Sequence, residues 1–322
     1  MLWLTWRQHR AQIAVTFGLL AVLGVMLLVT GLQAADYAAR HAPPGCPGPA
    51  PVCQAVNAAL RDWYDPMYMA FGLLPLAGPA LVGAFWGAPL LGREYERGTN
   101  KLAWTQSLPL GRWLGFKIAT LAGLLVAGGL ASAAMISAWT SVFRGAVYGS
   151  ALSNPGEFNM VGVAPAAWWL FAFAVGTLAG TLFRRTLVAM AVTIAVLMLT
   201  FPLLFFAQKD FAAPVRLVTA DRDQPLDQGG LFVKENWVDP AGRELTAPPV
   251  GVCAAPEGVD MRSGRAQLEM DGCLLDHGYR VALYYHPANR FWRFQWTEAA
   301  ILTAGAAALT SLAIARTSRR RI

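Results

Sequence analysis

Two glutamates and two arginines fall within five residues at Arg93-Glu94-Tyr95-Glu96-Arg97, and Gly98-Thr99 follows directly. Carboxylates and guanidinium groups in one short stretch suit charge-assisted contacts, which are roughly twice as strong as neutral hydrogen bonds. Leu102, Trp104 and Leu108 lie close by and offer apolar contacts. That chemistry is recognition rather than catalysis. The chain has no H-E-x-x-H pair and no G-x-S-x-G turn. It has no G-x-x-x-x-G-K-[ST] phosphate loop, so it does not hydrolyse ATP by that route. His9, His41, His277 and His286 are scattered, and no metal set is expected. Asp271, Asp276 and His277 read as surface charges rather than an acid–base group. Two readings of the 93–99 segment stand: a handle gripped by a protein partner, or a solvated loop.

The elements that position this segment are apolar. An uncharged run, Phe71 to Leu91, leads into it, and a second run begins just before Lys117. Hydrophobic residues make up 56% of the 322, and charged residues 14%. Soluble domains show roughly 45–50% and about 25%. The charges gather between runs of about 20 residues, the length that crosses about 30 Å of hydrocarbon. Six runs qualify: about Ile13–Leu32, Met69–Leu91, Phe116–Trp139, Pro165–Phe183, Leu187–Phe206 and Ala299–Ala315. Apart from Lys117 at the very start of the third run, no Asp, Glu, Lys, Arg or His occurs within those limits. Ionisable residues inside a membrane are costly and mark ion pathways, so an external energy source and an apolar path are expected. The first run is too long for a signal-peptide core and reads as a retained helix.

Arg7, Arg10, Arg93, Arg97, Lys101, Arg112, Lys117, Arg184, Arg185, Arg316, Arg319, Arg320 and Arg321 fall on one side of such a topology. By the positive-inside rule that side is cytoplasmic, with both termini. The net charge of +7 is thereby explained without nucleic acid. Cys46, Cys53, Cys253 and Cys273 all fall in segments on the opposite side, where disulfides persist. Four cysteines allow three pairings. The local one, Cys46–Cys53 with Cys253–Cys273, is expected.

Trp3, Trp6, Arg7 and Arg10 suit an interfacial elbow helix over residues 1–12, or a simple aromatic and basic anchor. Residues 13–206 hold five spans, with a cytoplasmic loop at 92–115. Gly83-x-x-x-Gly87 and Gly176-x-x-x-Gly180 let helices approach closely, within one chain or between two. Residues 207–297 form the one candidate water-exposed domain, small and mixed, with a strand expected at Gly278–Tyr285 and weaker ones at Leu231–Val233 and Val215–Val218. The sixth span and a basic tail occupy 298–322. The fold class is therefore an all-α integral membrane protein of six helices, with a small mixed extracytoplasmic domain between the fifth and sixth.

Arg93-Glu94-Tyr95-Glu96-Arg97-Gly98-Thr99, with Leu108-Pro109 and a basic residue before the next span, resembles the cytoplasmic loop of type-2 ABC exporter permeases. The opening Trp-Leu-Thr-Trp-Arg-Gln-His-Arg and the Arg290-Phe291-Trp292-Arg293-Phe294-Gln295 stretch resemble actinobacterial members. The resemblance implies that Arg93, Glu94, Glu96, Arg97, Gly98 and Thr99 contact a separate ABC ATPase subunit that binds ATP and Mg. It also implies a second permease subunit, as homodimer or heterodimer, and a place in the cell membrane among lipids. The chain itself would hold no cofactor and carry out no catalysis. A membrane sensor or immunity protein that displays the outer domain is the alternative.

Overall fold

The computed structural model of the chain describes residues 2–48, 50–96, 110–146, 150–220, 229–249, 251–253 and 264–319. They form two compact units. One comprises Met1–Val147, Pro155–Gln208 and Trp292–Ile322, and the other Tyr148–Asn154 and Lys209–Phe291.

The first unit is helical. Helix α1 runs unbroken over Leu2–His41. At 1.5 Å per residue it is about 60 Å long, about twice the hydrocarbon thickness of a bilayer. No Gly or Pro precedes Gly18, so nothing stops the helix before the apolar run. The elbow expected over residues 1–12 is accordingly not a separate helix. Trp3 and Trp6 instead lie exposed on the first turns of α1. The second span is composite: α2 (Gln54–Phe71), α3 (Leu74–Val82), a π turn (Gly83–Gly87) and α4 (Ala88–Glu96). Then follow α5 (Leu110–Val142), the short α6 (Pro155–Phe158), α7 (Ala164–Phe183), α8 (Thr186–Ala207) and, after the second unit, α10 (Phe291–Arg319). Among the described residues, six stretches are long and apolar enough to cross a membrane: Thr5–His41, Pro51–Glu96, Gly111–Val142, Ala164–Phe183, Thr186–Asp210 and Ala288–Ser318.

Helix α7 is the axis of this unit. Trp168, Ala172, Phe173, Ala174 and Ala179 are all buried on it, which covers most of its circumference. By contrast, α1 and α8 expose Leu19, Val22, Leu187, Leu199 and Leu203. An apolar outer surface of this kind suits lipid as the surrounding solvent. The interior is filled by Trp86, Leu90, Leu91, Leu114, Leu121, Leu125 and Phe173.

The two small-residue pairs meet each other. A Cβ added at Gly87 would stand 2.5 Å from the Phe173 carbonyl oxygen and 3.0 Å from Gly176 Cα. One added at Gly176 would run into the Gly83 carbonyl oxygen, and one at Gly180 would stand 2.6 Å from the Ala88 oxygen. These obstacles are backbone atoms, which cannot swing aside. The π turn belongs to this contact: the Ala88 N–H reaches back five residues to the Gly83 oxygen. Such widened turns often sit at functional positions in a helix. The Gly83/Gly87 and Gly176/Gly180 approach thus lies within one chain.

The sixth span reads as uncharged only from Ala299 onward. Its helix begins at Phe291 and takes in Arg293 and Glu298. Glu298 is 2% exposed, and its Oε1 accepts a hydrogen bond from Trp168 Nε1 at 2.8 Å. The same N–H reaches Asn159 Oδ1 at 2.9 Å. The aromatic run Phe291–Trp296 read as a boundary belt, yet Phe294 and Gln295 are fully buried.

The second unit is a four-stranded antiparallel sheet in the order β1-β4-β2-β3. Its strands are β1 (Val215–Thr219), β2 (Leu231–Val238), β3 (Glu244–Leu245) and β4 (Arg280–His286). Helix α9 (Gly264–Asp276) packs Leu274 against Trp237 and Val281. His286 is fully buried; its Nε2–H donates to the Lys209 carbonyl at 2.9 Å, and its Nδ1 accepts from Arg290 at 3.0 Å. That histidine is structural.

Candidate functional site: the junction of α4, α5 and α8

The charged segment at 93–99 begins inside α4. Glu94 and Glu96 lie in its last turn and reach different helices. Glu94 Oε1 is 2.8 Å from Lys117 Nζ, near the start of α5. The lysine side chain is 6% exposed and that of the glutamate 22%. Such a pair lies between the ~1 kcal/mol limit of a surface ion pair and the 3–5 kcal/mol lost on breaking a buried one. Lys117 Nζ also stands 5.1 Å from the centre of the Trp113 ring, so an aromatic face covers the cation.

Glu96 reaches α8. Its Oε1 accepts the Thr186 backbone N–H at 2.8 Å, and its Oε2 accepts the Thr186 hydroxyl at 2.8 Å. A helix start leaves its first four N–H groups without intrahelical partners and carries a partial positive charge. Arg185, at the N-cap of α8, makes no side-chain cap. A carboxylate from another helix therefore caps α8. The link from α7 is short: Arg184 takes the left-handed region at φ 54° and Arg185 is extended. Arg184 places its guanidinium 5.5 Å from the centre of the Tyr95 ring. Gly92 fits against Thr186, whose Cα would lie 3.3 Å from an added Cβ.

The N-terminal end of α1 closes the same region. His9 Nδ1 and Gln12 Oε1 are 2.6 Å apart, and Gln12 Nε2 donates to the Phe85 carbonyl at 2.7 Å. Phe85 belongs to the π turn, where the regular carbonyl ladder is disturbed. Trp86 Nε1 donates to Thr16 Oγ1 at 3.0 Å.

Helix α7 is capped from outside in the same way. Val163, its N-cap, has no side chain able to accept a bond. Gln295 of α10 supplies the acceptor: its Oε1 takes the N–H groups of Val163 and Ala164, each at 2.9 Å. Its Nε2 donates to the Phe158 carbonyl at 2.7 Å. Gly162, at φ +70°, leaves room for that amide.

Among the described residues this junction brings together no catalytic set. Its chemistry is mechanical: the end of α4 is tied to the starts of α5 and α8, and helix ends tied in this way move together. The structure brings Glu94 and Glu96 into these ties and leaves Arg93 exposed. Arg97, Gly98 and Thr99 lie outside the described residues, as does the rest of the loop to Pro109. The two cysteine pairs form Cys46–Cys53 and Cys253–Cys273. Sequence reading missed Thr186, Gln295 and Glu298. A valine at the start of one long helix and a bare two-residue link before another were the available signals, since both leave orphan N–H groups that another chain segment must satisfy.

No curated protein and no solved structure matches the chain. The family model described as "ABC-2 membrane transporter related" matches residues 17–207. That range takes in the first membrane helix from residue 17 onward, the next four through Ala207, and the residues of α4, α5 and α8 that form the junction. With more than half of its 322 residues matched, this multi-pass membrane protein belongs to the ABC-2 membrane transporter related family and is an ABC-2 type permease.

Proposed function

We propose that the chain is the permease subunit of an ATP-driven exporter. ATP and Mg bind to a separate ATPase subunit, and two permease subunits complete the assembly. The protein sits in the cell membrane with both termini cytoplasmic, and the sheet unit lies outside. The observation that carries the reading is the pair of ties from one helix end: Glu94 to Lys117 and Glu96 to Thr186. An ATPase that pushes on Arg93–Thr99 displaces the end of α4, and the ties pass that displacement to α5 and α8. The glutamates therefore couple the ATPase to the bundle as well as facing it.

Alternating access requires two packings of the bundle whose balance the nucleotide shifts. The backbone contact of Gly83 and Gly87 with Gly176 and Gly180 supplies a pivot, because helices that touch through glycine can rotate without side chains interlocking. The substrate is apolar or amphiphilic, in keeping with the apolar filling of the bundle. Glu298 modifies the expectation of an uncharged path, and it places one buried acid beside Trp168. The test is co-purification: the chain is isolated from its native membrane, and its partners are identified by mass spectrometry. Recovery of an ATPase with a phosphate loop supports the reading. A chain that is stable and repeatedly isolated without one contradicts it.

A further inference from the structure

Cys253, Cys273 and His277 converge in the sheet unit, with their three ligand atoms all within 4.8 Å of one another. We propose that this corner is a redox-gated zinc-class metal site, closed while Cys253 and Cys273 are bonded and open when they are reduced. Two thiolates and an imidazole form a soft-to-borderline donor set that selects Zn²⁺ over Mg²⁺ or Ca²⁺.

The geometry supports it. Zinc–sulfur bonds of about 2.3 Å and zinc–nitrogen bonds of about 2.0–2.1 Å place tetrahedral ligand atoms roughly 3.5–3.8 Å apart. Cys273 Sγ and His277 Nδ1 already stand 3.7 Å apart. The two Cα atoms of the cysteines are 6.2 Å apart, so the sulfurs separate to a ligand spacing by side-chain rotation once their bond is cut. Cys273 is on α9 and His277 lies one turn beyond it, a spacing that puts both on one face. Leu274, fully buried against Trp237 and Val281, holds that face in place. His277 is exposed, so the metal enters from solvent. At present Nδ1–H donates to the Cys273 carbonyl at 2.8 Å. Metal binding replaces that bond and leaves the ring proton on Nε2.

The chemistry balances with a thiol reductant. Two reductant thiols give up two electrons and two protons, the Cys253–Cys273 bond breaks, and the reductant leaves as its own disulfide. Zn²⁺ then displaces the two cysteine protons and binds both thiolates and the neutral imidazole, with water in the fourth position. Cys273 lies in the last turn of α9, where the helix dipole disfavours a bare thiolate. A dication removes that disadvantage.

The test uses the untagged full chain in detergent, reduced by a phosphine, freed of metal and titrated with Co²⁺. A thiolate-to-cobalt charge-transfer band at one Co²⁺ per chain is expected, with none before reduction. The band survives Cys46→Ser/Cys53→Ser and disappears in Cys253→Ser/Cys273→Ser. His277→Ala weakens binding at least about tenfold. Zn²⁺ also protects Cys253 and Cys273 from alkylation. No band in the reduced wild type overturns the proposal, as does a band that persists in Cys253→Ser/Cys273→Ser. Equal affinity in His277→Ala, or absence of alkylation protection, overturns it too.

Discussion

Replacing Glu96 by alanine removes the acceptor for both the backbone N–H and the hydroxyl of Thr186. A side-chain cap at a helix start contributes ~1 kcal/mol, within 0.5–2. A carboxylate near the positive helix end adds about 0.3–1 kcal/mol when exposed. Glu96 is exposed, so the larger values for buried charge-assisted bonds do not apply. The sum is roughly 1.5 kcal/mol, or a fall in melting temperature of about 3–6 °C at 2–4 °C per kcal/mol. A double-mutant cycle isolates the tie. Thr186→Val removes only the hydroxyl, so Glu96→Ala and Thr186→Val together should cost less than the sum of the singles by about 0.5–1 kcal/mol. The assay is equilibrium unfolding of the purified chain in mixed micelles, followed by circular dichroism. A Glu96→Ala chain within 0.3 kcal/mol of wild type, or strict additivity with Thr186→Val, refutes the capping role.

Other outcomes follow from the same structure. Gly87→Ala and Gly176→Ala, whose methyl groups meet backbone atoms, should cost at least about 1–3 kcal/mol each and reduce the yield of monodisperse protein by size-exclusion chromatography. Gly123→Ala, with nothing within 4 Å, should not. Gln295→Ala removes the acceptor of the half-buried Val163 N–H and the buried Ala164 N–H, as well as the donor to the Phe158 carbonyl, at about 1–3 kcal/mol for a buried group left unmatched, and should sharply lower recovery of folded protein; Gln295→Glu should rescue it in part, because its carboxyl still accepts from both N–H groups. Hydrogen bonds from Asn236, Arg216 and Tyr284 pull the Glu244 carboxyl down to about 2. That stabilisation is complete above the ordinary carboxylate range and is lost as pH falls toward 2, so melting curves of wild type and Glu244→Gln should converge with acid. Breaking the Cys253–Cys273 bond, which closes a separation of 20 residues, should cost roughly 3 kcal/mol by chain entropy. A cysteine at the exposed Ala247 of the sheet unit should react with a membrane-impermeant reagent in intact cells, and one at Ser107 should not; labelling of Ser107→Cys from outside contradicts the orientation.

The class of the protein was legible in sequence because it rests on the crudest signal, long apolar runs between charge clusters. The two Gly-x-x-x-Gly pairs were legible as packing surfaces, and only coordinates could pair them with each other. The strands at Val215, Leu231 and Gly278 were visible as runs of β-formers. The two-residue β3 and the polar helix α9 were not, since neither has a periodic apolar stripe. Residues satisfied across long separations escaped entirely. Gln295 and Glu298 lie beside an aromatic run that reads as a membrane boundary, and nothing local shows that they serve α7 more than 120 residues earlier in the chain. Glu94 and Glu96 were noticed for their charge, but their direction, inward to Lys117 and Thr186, was hidden. That direction changes the expected outcome of removing them: the bundle is weakened as well as uncoupled.

Coupling is therefore best measured with both sides of the ties altered. The chain is reconstituted in proteoliposomes with its co-purified ATPase, and ATP hydrolysis is measured per folded permease. Glu94→Ala/Glu96→Ala removes the carboxylates. Lys117→Met/Thr186→Val weakens the same ties from the far side and leaves both carboxylates in place. If this junction passes ATPase motion to the helices, both variants keep the ATPase bound or lose it only with the carboxylates, and both lose permease-dependent stimulation of hydrolysis. Wild-type stimulation in both variants, with folded protein confirmed, contradicts the coupling role of the junction.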